Sequence, residues 1–348
     1  MDQIINISIN NASRIPKYKQ VVDSILEDIS KGGVKVGQKI PSINEISEEC
    51  NLSRDTVEKA YKVLKERKII VSVKGKGYYV SKTNLVTQVK ILFMLNKLSS
   101  YKMRIYNAFV NSLGANAQVD LRVYHCDDIV FLNMLEEYEG VYDYYVIMPH
   151  FKNRDHQHIG YTDDILKAIS KIPVDKLLLM DYFLPELKGD FAAVYQDFKA
   201  DIYEVLNEGI DNLHQYEKLI LVYPSQSVYP YPKEIAMGFK KFCMEQDIDY
   251  EVLDEIYDDM ELQSKDAYLV IEDTDLVNLV KQTRDKKFEL GKDIGIICYN
   301  DTPLKDLLGI TVISTDFDVM GETAAYMISK NKKEKVKNAF KLINRNSF

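Results

Sequence analysis

Residues 40–64 read IPSINEISEECNLSRDTVEKAYKVL, and this stretch decides the N-terminal fold. Ser42 and Glu45 stand at the S-x-x-E spacing of a capping box, so a helix is predicted to begin at Ile43 and to end near Cys50. After Asn51-Leu52, Ser53 caps a further helix in which Val57, Ala60, Tyr61 and Leu64 share one apolar face. Upstream, Val21, Val22, Ile25, Leu26 and Ile29 place a helix after Pro16, with Gly32-Gly33 as its stop. Downstream, Ile69–Val73 and Tyr78–Val80 are β-type runs joined by Lys74-Gly75-Lys76-Gly77, which reads as a hairpin with a basic tip.

Two helices joined by a tight turn, the second led by Ser53, Arg54 and Thr56, have the form of a helix-turn-helix whose second helix enters a DNA major groove. The Arg54 guanidinium can bond a guanine edge bidentately, while Ser42, Ser53 and Thr56 can reach phosphates beside the amides of the helix starts. Ser42 and Ser53 are equally explained as helix caps. The hairpin adds weight to the DNA reading: Gly75 and Gly77 permit positive φ and close approach, and Lys74 and Lys76 can reach phosphates or the minor groove.

Charge supports the same division of labour. Over 348 residues the net charge is -8, but residues 1–82 hold 15 Lys and Arg against 10 Asp and Glu, a net of +5, while residues 83–348 hold 30 against 43, a net of -13. Affinity for a duplex comes largely from local cations displacing counterions, so the basic end is the nucleic-acid end. No apolar run approaches the roughly 18 residues of a membrane helix, and Met1 to Asn11 lacks the features of an export signal, so a soluble cytoplasmic protein with no membrane partner is expected. Cys50, Cys126, Cys243 and Cys298 are too scattered for zinc or a disulfide framework and are expected to be reduced. His156-Gln157-His158 reads as a solvated loop rather than a metal site. With no nucleophile, P-loop or dinucleotide motif, no catalytic residue, metal or cofactor is predicted, and an enzyme is not expected.

Over about residues 14–82 the chain resembles the GntR-type regulators, whose pattern of a Pro-Ser helix start, a Ser-Arg-x-Thr-Val recognition helix and a Gly-x-Gly-aromatic wing is present as Pro41-Ser42, Ser53-Arg54-Asp55-Thr56-Val57 and Gly75-Lys76-Gly77-Tyr78. The resemblance implies that Ser42, Arg54 and Thr56 contact a double-stranded operator, with Gly75, Lys76 and Gly77 at the wing. Ile43-Asn44 stands where the family often has Glu-Arg, and Glu58 where it has a basic residue, so the operator sequence is expected to differ. Some GntR-type regulators carry an aminotransferase-like domain, but the remaining segment is short for that and shows no lysine-centred cofactor motif.

The domains are read as 1–83, a linker 84–88, and 89–348. In the last, apolar runs at 90–95, 119–125, 144–148, 177–180, 192–195, 218–222, 267–271 and 294–298 alternate with helical-length segments, which implies an α/β domain of parallel strands, in two sheets rather than one. Ligands of such sheets bind beyond the carboxyl ends of the strands, where Asn96, His150, Asp181-Tyr182, Asp197, Tyr223, Glu272-Asp273 and Asn300-Asp301 stand. Carboxylates and amides with aromatic neighbours suit a hydroxyl-rich ligand such as a monosaccharide, although any single one of them is also explained as a helix cap.

Glu289 to Asn300, and Leu342-Ile343-Asn344-Arg345-Asn346-Ser347, resemble runs of the lactose-repressor-type effector domain, a two-lobed type I periplasmic-binding-protein fold. By that resemblance Asn300 stands where the family has a ligand-binding carboxylate, Glu272 and Asp273 fall in a ligand-contacting region, and Lys233 is the nearest cation where an arginine often precedes the Gly238-Phe239 pair. A homodimer on a pseudo-palindromic operator, responsive to an effector in the cleft, is the expected arrangement. The alternatives are a large domain that only dimerises, which an apolar-filled cleft would favour, and, ranked below it, one that binds a non-sugar metabolite or carries an enzyme-like function.

Overall fold

Helix-start chemistry and apolar periodicity build the first unit of this computed structural model, which describes residues 5, 7–10, 13–30, 33–81, 88–114 and 117–348. The chain divides into Met1–Gln88 and Val89–Phe348. Of the predicted linker 84–88, only Gln88 lies within the described residues.

The first unit runs α1 (Lys17–Ser30), β1 (Lys39–Ile40), α2 (Ile43–Glu49), α3 (Arg54–Glu66), β2 (Ile70–Val73) and β3 (Gly77–Val80). The capping box forms: the Glu45 amide donates to Ser42 Oγ at 3.2 Å and the Ser42 amide to Glu45 Oε2 at 2.5 Å. Val21, Ile25, Ile46, Val57, Ala60 and Leu64 close one core. Tyr61 ties the unit together, since its hydroxyl donates to the Pro41 carbonyl and its ring meets Tyr78 edge-on at 4.7 Å. The two-residue β1, too short to show any periodicity, joins the hairpin through Lys39↔Tyr79 and Ile40↔Tyr78, giving a three-stranded wing sheet of order β1-β3-β2.

In the large unit, β4 (Val89–Leu95), α4 (Ser100–Leu113), β5 (Ala117–Val123), α5 (Asp128–Glu137), β6 (Tyr144–Ile147), the hairpin β7 (Phe151–Lys152) and β8 (His158–Ile159), α6 (Asp163–Ser170), β9 (Leu177–Tyr182) and β10 (Ala192–Gln196) build one lobe. The chain then crosses to α7 (Phe198–Glu208), α8 (Ile210–Leu213), β11 (Lys218–Val222), α9 (Lys233–Glu245), β12 (Asp249–Leu253), β13 (Asp266–Val270), α10 (Asp273–Asp285), β14 (Ile294–Tyr299), α11 (Pro303–Leu307) and β15 (Thr311–Thr315). It returns through α12 (Phe317–Ser329) and β16 (Lys335–Lys337), and β17 (Phe340–Ile343) completes the second lobe. The sheet orders are β16-β10-β9-β6-β4-β5 and β12-β11-β13-β14-β15-β17, parallel throughout except for β15 with β17. Both faces are covered: Ile91, Phe93 and Leu95 pack under α4 and α12, while Leu92 and Met94 pack under α5 and α6.

Three crossovers join the lobes, and Asn338, on the third, binds the chain at the other two. Its amide donates to the Tyr195 carbonyl at 2.7 Å, and its Nδ2 donates to Thr315 Oγ1 and the Asp316 carbonyl, each at 2.8 Å. The closing run is fixed as firmly. Arg345 reaches Asp301 and Asp306 at 2.9 Å each, and the Ser347 hydroxyl donates to the Ile296 carbonyl at 2.6 Å.

Candidate functional site

On the first unit the surface that could meet DNA is exposed. Arg54 opens α3 and is exposed, as are Ser53, Lys74, Gly75 and Lys76, with Ser42, Thr56 and Gly77 half-buried. The turn that aims α3 is built from Ser53, whose Oγ accepts the Thr56 amide at 3.3 Å and lies 2.8 Å from Thr56 Oγ1. Ser42 and Ser53 are therefore helix caps, and both remain at the unit's surface. At the wing Gly75 has φ +74 and Gly77 φ +106, and a Cβ on Gly77 would come within 3.1 Å of Lys39 Cε, so both glycines meet a backbone requirement.

On the large unit, the carboxyl ends of the two sheets face a cleft. Its first-lobe wall holds a buried polar network. Asp181 Oδ2 accepts from Lys102 Nζ at 3.1 Å and from His150 Nε2 at 2.9 Å, and Asp181 Oδ1 accepts from Gln196 Nε2 at 2.5 Å. Burial works to raise the Asp181 carboxyl, but the Lys102 ammonium and these hydrogen bonds outweigh it and hold the group far below its ordinary range. Burial first, then Lys102, pushes His150 down to about 4 despite its bond to Asp181, so this imidazole is neutral near pH 7. Its Nε2 proton goes to Asp181, so Nδ1 accepts, and His158 Nε2 at 2.9 Å is the donor. His158 thus corrects the reading of 156–158 as a solvated loop. His156 is exposed, but His158 lies in β8, 6% exposed and built into the network.

A cavity of about 30 Å³, room for one or two waters, is walled by this network and by Asn96, Tyr231, Tyr299 and Asn300. Beside it lies a cavity of about 380 Å³, reaching Glu272, Asp273 and the start of α4. That volume falls in the range of ordinary small-molecule sites. Among the described residues, three buried atoms of residues lining the smaller cavity have no hydrogen-bond partner: Asn96 Oδ1, Gln196 Oε1 and Tyr299 Oη, on residues that are 3%, 7% and 4% exposed. Orphaned polar atoms in a native interior call for an explanation, and an exchangeable ligand is one. Asp181 and Asn300, one from each lobe, both adopt positive φ, +71 and +64, a conformation non-glycine residues adopt at some cost and which clusters at sites.

The cleft gathers the sequence-predicted Asn96, His150, Asp181, Glu272, Asp273, Asn300 and Asp301. It does not gather the others. Asp197 caps α7 by accepting the Ala200 amide at 3.1 Å, Lys233 is exposed on α9, and neither lines these cavities. Tyr182 packs behind His150 and donates to Glu234 Oε1 at 3.2 Å, and Tyr223 donates to the Tyr231 carbonyl. Asp273 is paired with Lys305 at 2.8 Å and Asp301 with Arg345. Sequence reasoning missed Lys97, Lys102, Gln196, Tyr231 and Tyr299. Lys102 left a signal, being the one charge in the buried stripe Lys102, Ile105, Phe109, Leu113 of α4.

Residues 17–80 match the family model described as "Bacterial regulatory proteins, gntR family". Over 114 residues the chain is 29% identical to the HTH-type transcriptional repressor YtrA of Bacillus subtilis (strain 168), covering 33% of this chain and 84% of that one. Over 97 residues it is 37% identical to the mannosyl-D-glycerate transport/metabolism system repressor MngR of Escherichia coli (strain K12), covering 28% of this chain but only 38% of that relative's length. The solved structure of a LacI family transcriptional regulator from Lactobacillus casei with bound glucose matches 74% of this chain and 99% of its own, at 12% identity and a TM-score of 0.58. The N-terminal unit is thus a GntR-type winged helix-turn-helix, and the large unit has the α/β fold of LacI-type, periplasmic-binding-protein-like regulators. Among the described residues no helix is long and apolar enough to cross a membrane.

Proposed function

We propose that this chain is a transcriptional repressor that binds operator DNA through α3 and the wing, and that a monosaccharide in the cleft of its large unit controls that binding. Arg54 reads a guanine, Thr56, Ser42 and Ser53 hold phosphates, and Lys74 and Lys76 hold the duplex beside the wing. A homodimer on a pseudo-palindromic site is the assembly that suits such a head. The observation that carries the effector is the trio Asn96 Oδ1, Gln196 Oε1 and Tyr299 Oη, buried and unpartnered around one cavity. The polar lining also speaks against a large domain that only dimerises.

A ligand bridging the lobes changes operator affinity only if it binds the DNA-competent and incompetent shapes unequally. Asn338, joining all three crossovers, is where such a difference in lobe angle would be transmitted. The test selects bound sequences from a random duplex pool, then measures anisotropy of the winning duplex with and without each of a panel of monosaccharides. Selection of one half-palindrome, lost in Arg54→Ala, together with a sugar that moves affinity at least ten-fold, supports the reading. Selection without any sugar response leaves a non-sugar effector or the dimerisation-only domain.

A further inference from the structure

We propose that the effector is an anion, a sugar-like polyol bearing a carboxylate or phosphate group, with that group seated between Lys97 and the first turn of α4. This rests on the reading of the cleft as an effector site.

Lys97 follows Asn96 at the end of β4 and reaches the walls of both cavities. The other cations of the cleft are matched: Lys102 with Asp181 at 3.1 Å, Lys305 with Asp273 at 2.8 Å, and Arg104 with Asp318 at 2.5 Å. Among the described residues Lys97 has no ion pair and no hydrogen bond. Its ammonium lies instead over the Tyr231 ring at 4.7 Å and the Tyr229 ring at 5.6 Å. Burial, and then the nearby Lys102 charge, push it down to about 8, against smaller opposing contributions from Cys126, Glu272 and Asp181, none of which pairs with it directly.

The start of α4 adds donors. Ser99 Oγ caps the Lys102 amide at 3.4 Å, and no acceptor among the described residues takes the Ser100 or Tyr101 amide. The first turn carries no acidic residue, and Ser99, Ser100 and Tyr101 line the larger cavity. Free amides at the positive end of a helix beside an unpaired ammonium suit an anionic oxygen. Tyr299 lines both cavities, and its Oη, buried and without a partner among the described residues, points to a ligand independently and can donate to it.

The remaining chemistry is that of a polyol. Asn96 Oδ1 and Gln196 Oε1 are acceptors and need hydroxyl donors. Facing Lys97 from the second lobe, Asp273 and Asp301 are consumed by Lys305 and Arg345, and Glu272 accepts from Ser227 Oγ at 3.2 Å with an oxygen left for a hydroxyl. A neutral sugar would satisfy the amides and leave Lys97 without a direct ion-pair partner. A cationic ligand would meet both Lys97 and Lys102.

The experiment follows thermal stability and calorimetric affinity of the full chain with glucose, glucuronate, glucose 6-phosphate and inorganic phosphate at matched ionic strength, in wild type, Lys97→Met, Lys97→Arg and Tyr299→Phe. A charge-assisted contact of this kind corresponds to about a ten- to hundred-fold preference. The expected result is saturable stabilisation by at least one of the three anions, binding at least ten-fold tighter than glucose. Lys97→Met should lose that preference and Lys97→Arg keep it. Equal binding of glucose, or an anion preference untouched by Lys97→Met, overturns the anionic seat. If Tyr299→Phe still weakens the glucose response, the cleft reading stands alone. No stabilisation by any of the three anions also overturns the seat, since phosphate is its smallest occupant, and the neutral-sugar panel then decides the cleft separately.

Discussion

The winged unit and the cleft place their functional side chains in opposite ways. Ser53, Arg54 and Thr56 lie within four residues, at the surface, and are aimed by one cap. Lys102, His150, Asp181 and Gln196 lie far apart in sequence, are buried, and are aimed by one another. The first kind of site can lose a contact without disturbing its fold, whereas the second cannot lose a member without leaving a buried charge or amide unmatched.

The largest effect should therefore come from Asp181→Ala. It strands the Lys102 ammonium, which is 1% exposed, and breaking a buried pair in this way costs about 3–5 kcal/mol. Urea denaturation of the large unit is the measurement, and a loss under about 1 kcal/mol would mean that water or a shifted Lys102 replaces the carboxylate. Acid should act on the same network at nearly the same scale. His150 titrates near 6.5 when unfolded and about 4 when folded, so the unfolded chain binds the extra proton first and stability falls as pH falls through that window. The sum is about 3 kcal/mol between pH 7 and 4. The depressed Asp181 contributes in the same direction, its share being present above its unfolded value and lost below it. His150→Gln should flatten the profile, and a profile equally steep in that variant would shift the cause elsewhere.

Arg54→Ala should sharpen the contrast from the other side. Operator binding weakens by about 1–3 kcal/mol and discrimination at one base pair relaxes, while the unfolding midpoint stays where it was. Competition anisotropy against a duplex altered at that pair is the check. A fall in stability comparable to the fall in affinity would make Arg54 a structural residue after all.

The same contrast explains what could be read from the sequence. The caps, bounds and buried face of α2 and α3 were legible because capping is a contact between residues three apart, and because Val57, Ala60, Tyr61 and Leu64 obey one period. The alternating strands and helices of the large unit were legible because strands buried on both faces are nearly continuous apolar runs. Strand β12 was not, since Asp249 and Glu251 on an exposed edge break that signal, and β16 is a three-residue edge set by its register with β10. In the cleft, strand ends gave Asn96, His150, Asp181 and Asn300. They could not separate Asp197, spent on a helix cap, from Gln196 beside it, because which of two neighbours turns inward is decided by a partner 15 residues away.

Asn338 gives the smallest of these effects and the most informative one. It belongs to neither site, yet its backbone and side chain hold Tyr195, Thr315 and Asp316, one residue or more from each of the other crossovers. Removing two side-chain hydrogen bonds in Asn338→Ala should cost only about 1 kcal/mol each, well below the loss in Asp181→Ala. If the crossovers transmit closure, this variant should still bind the effector and still bind operator, while the factor by which one changes the other shrinks. Affinity for duplex with and without saturating ligand measures that factor directly. An unchanged factor would place the coupling outside the crossovers. A lost effector site would mean that Asn338 holds the cleft walls themselves, through Gln196, whose strand ends one residue after Tyr195.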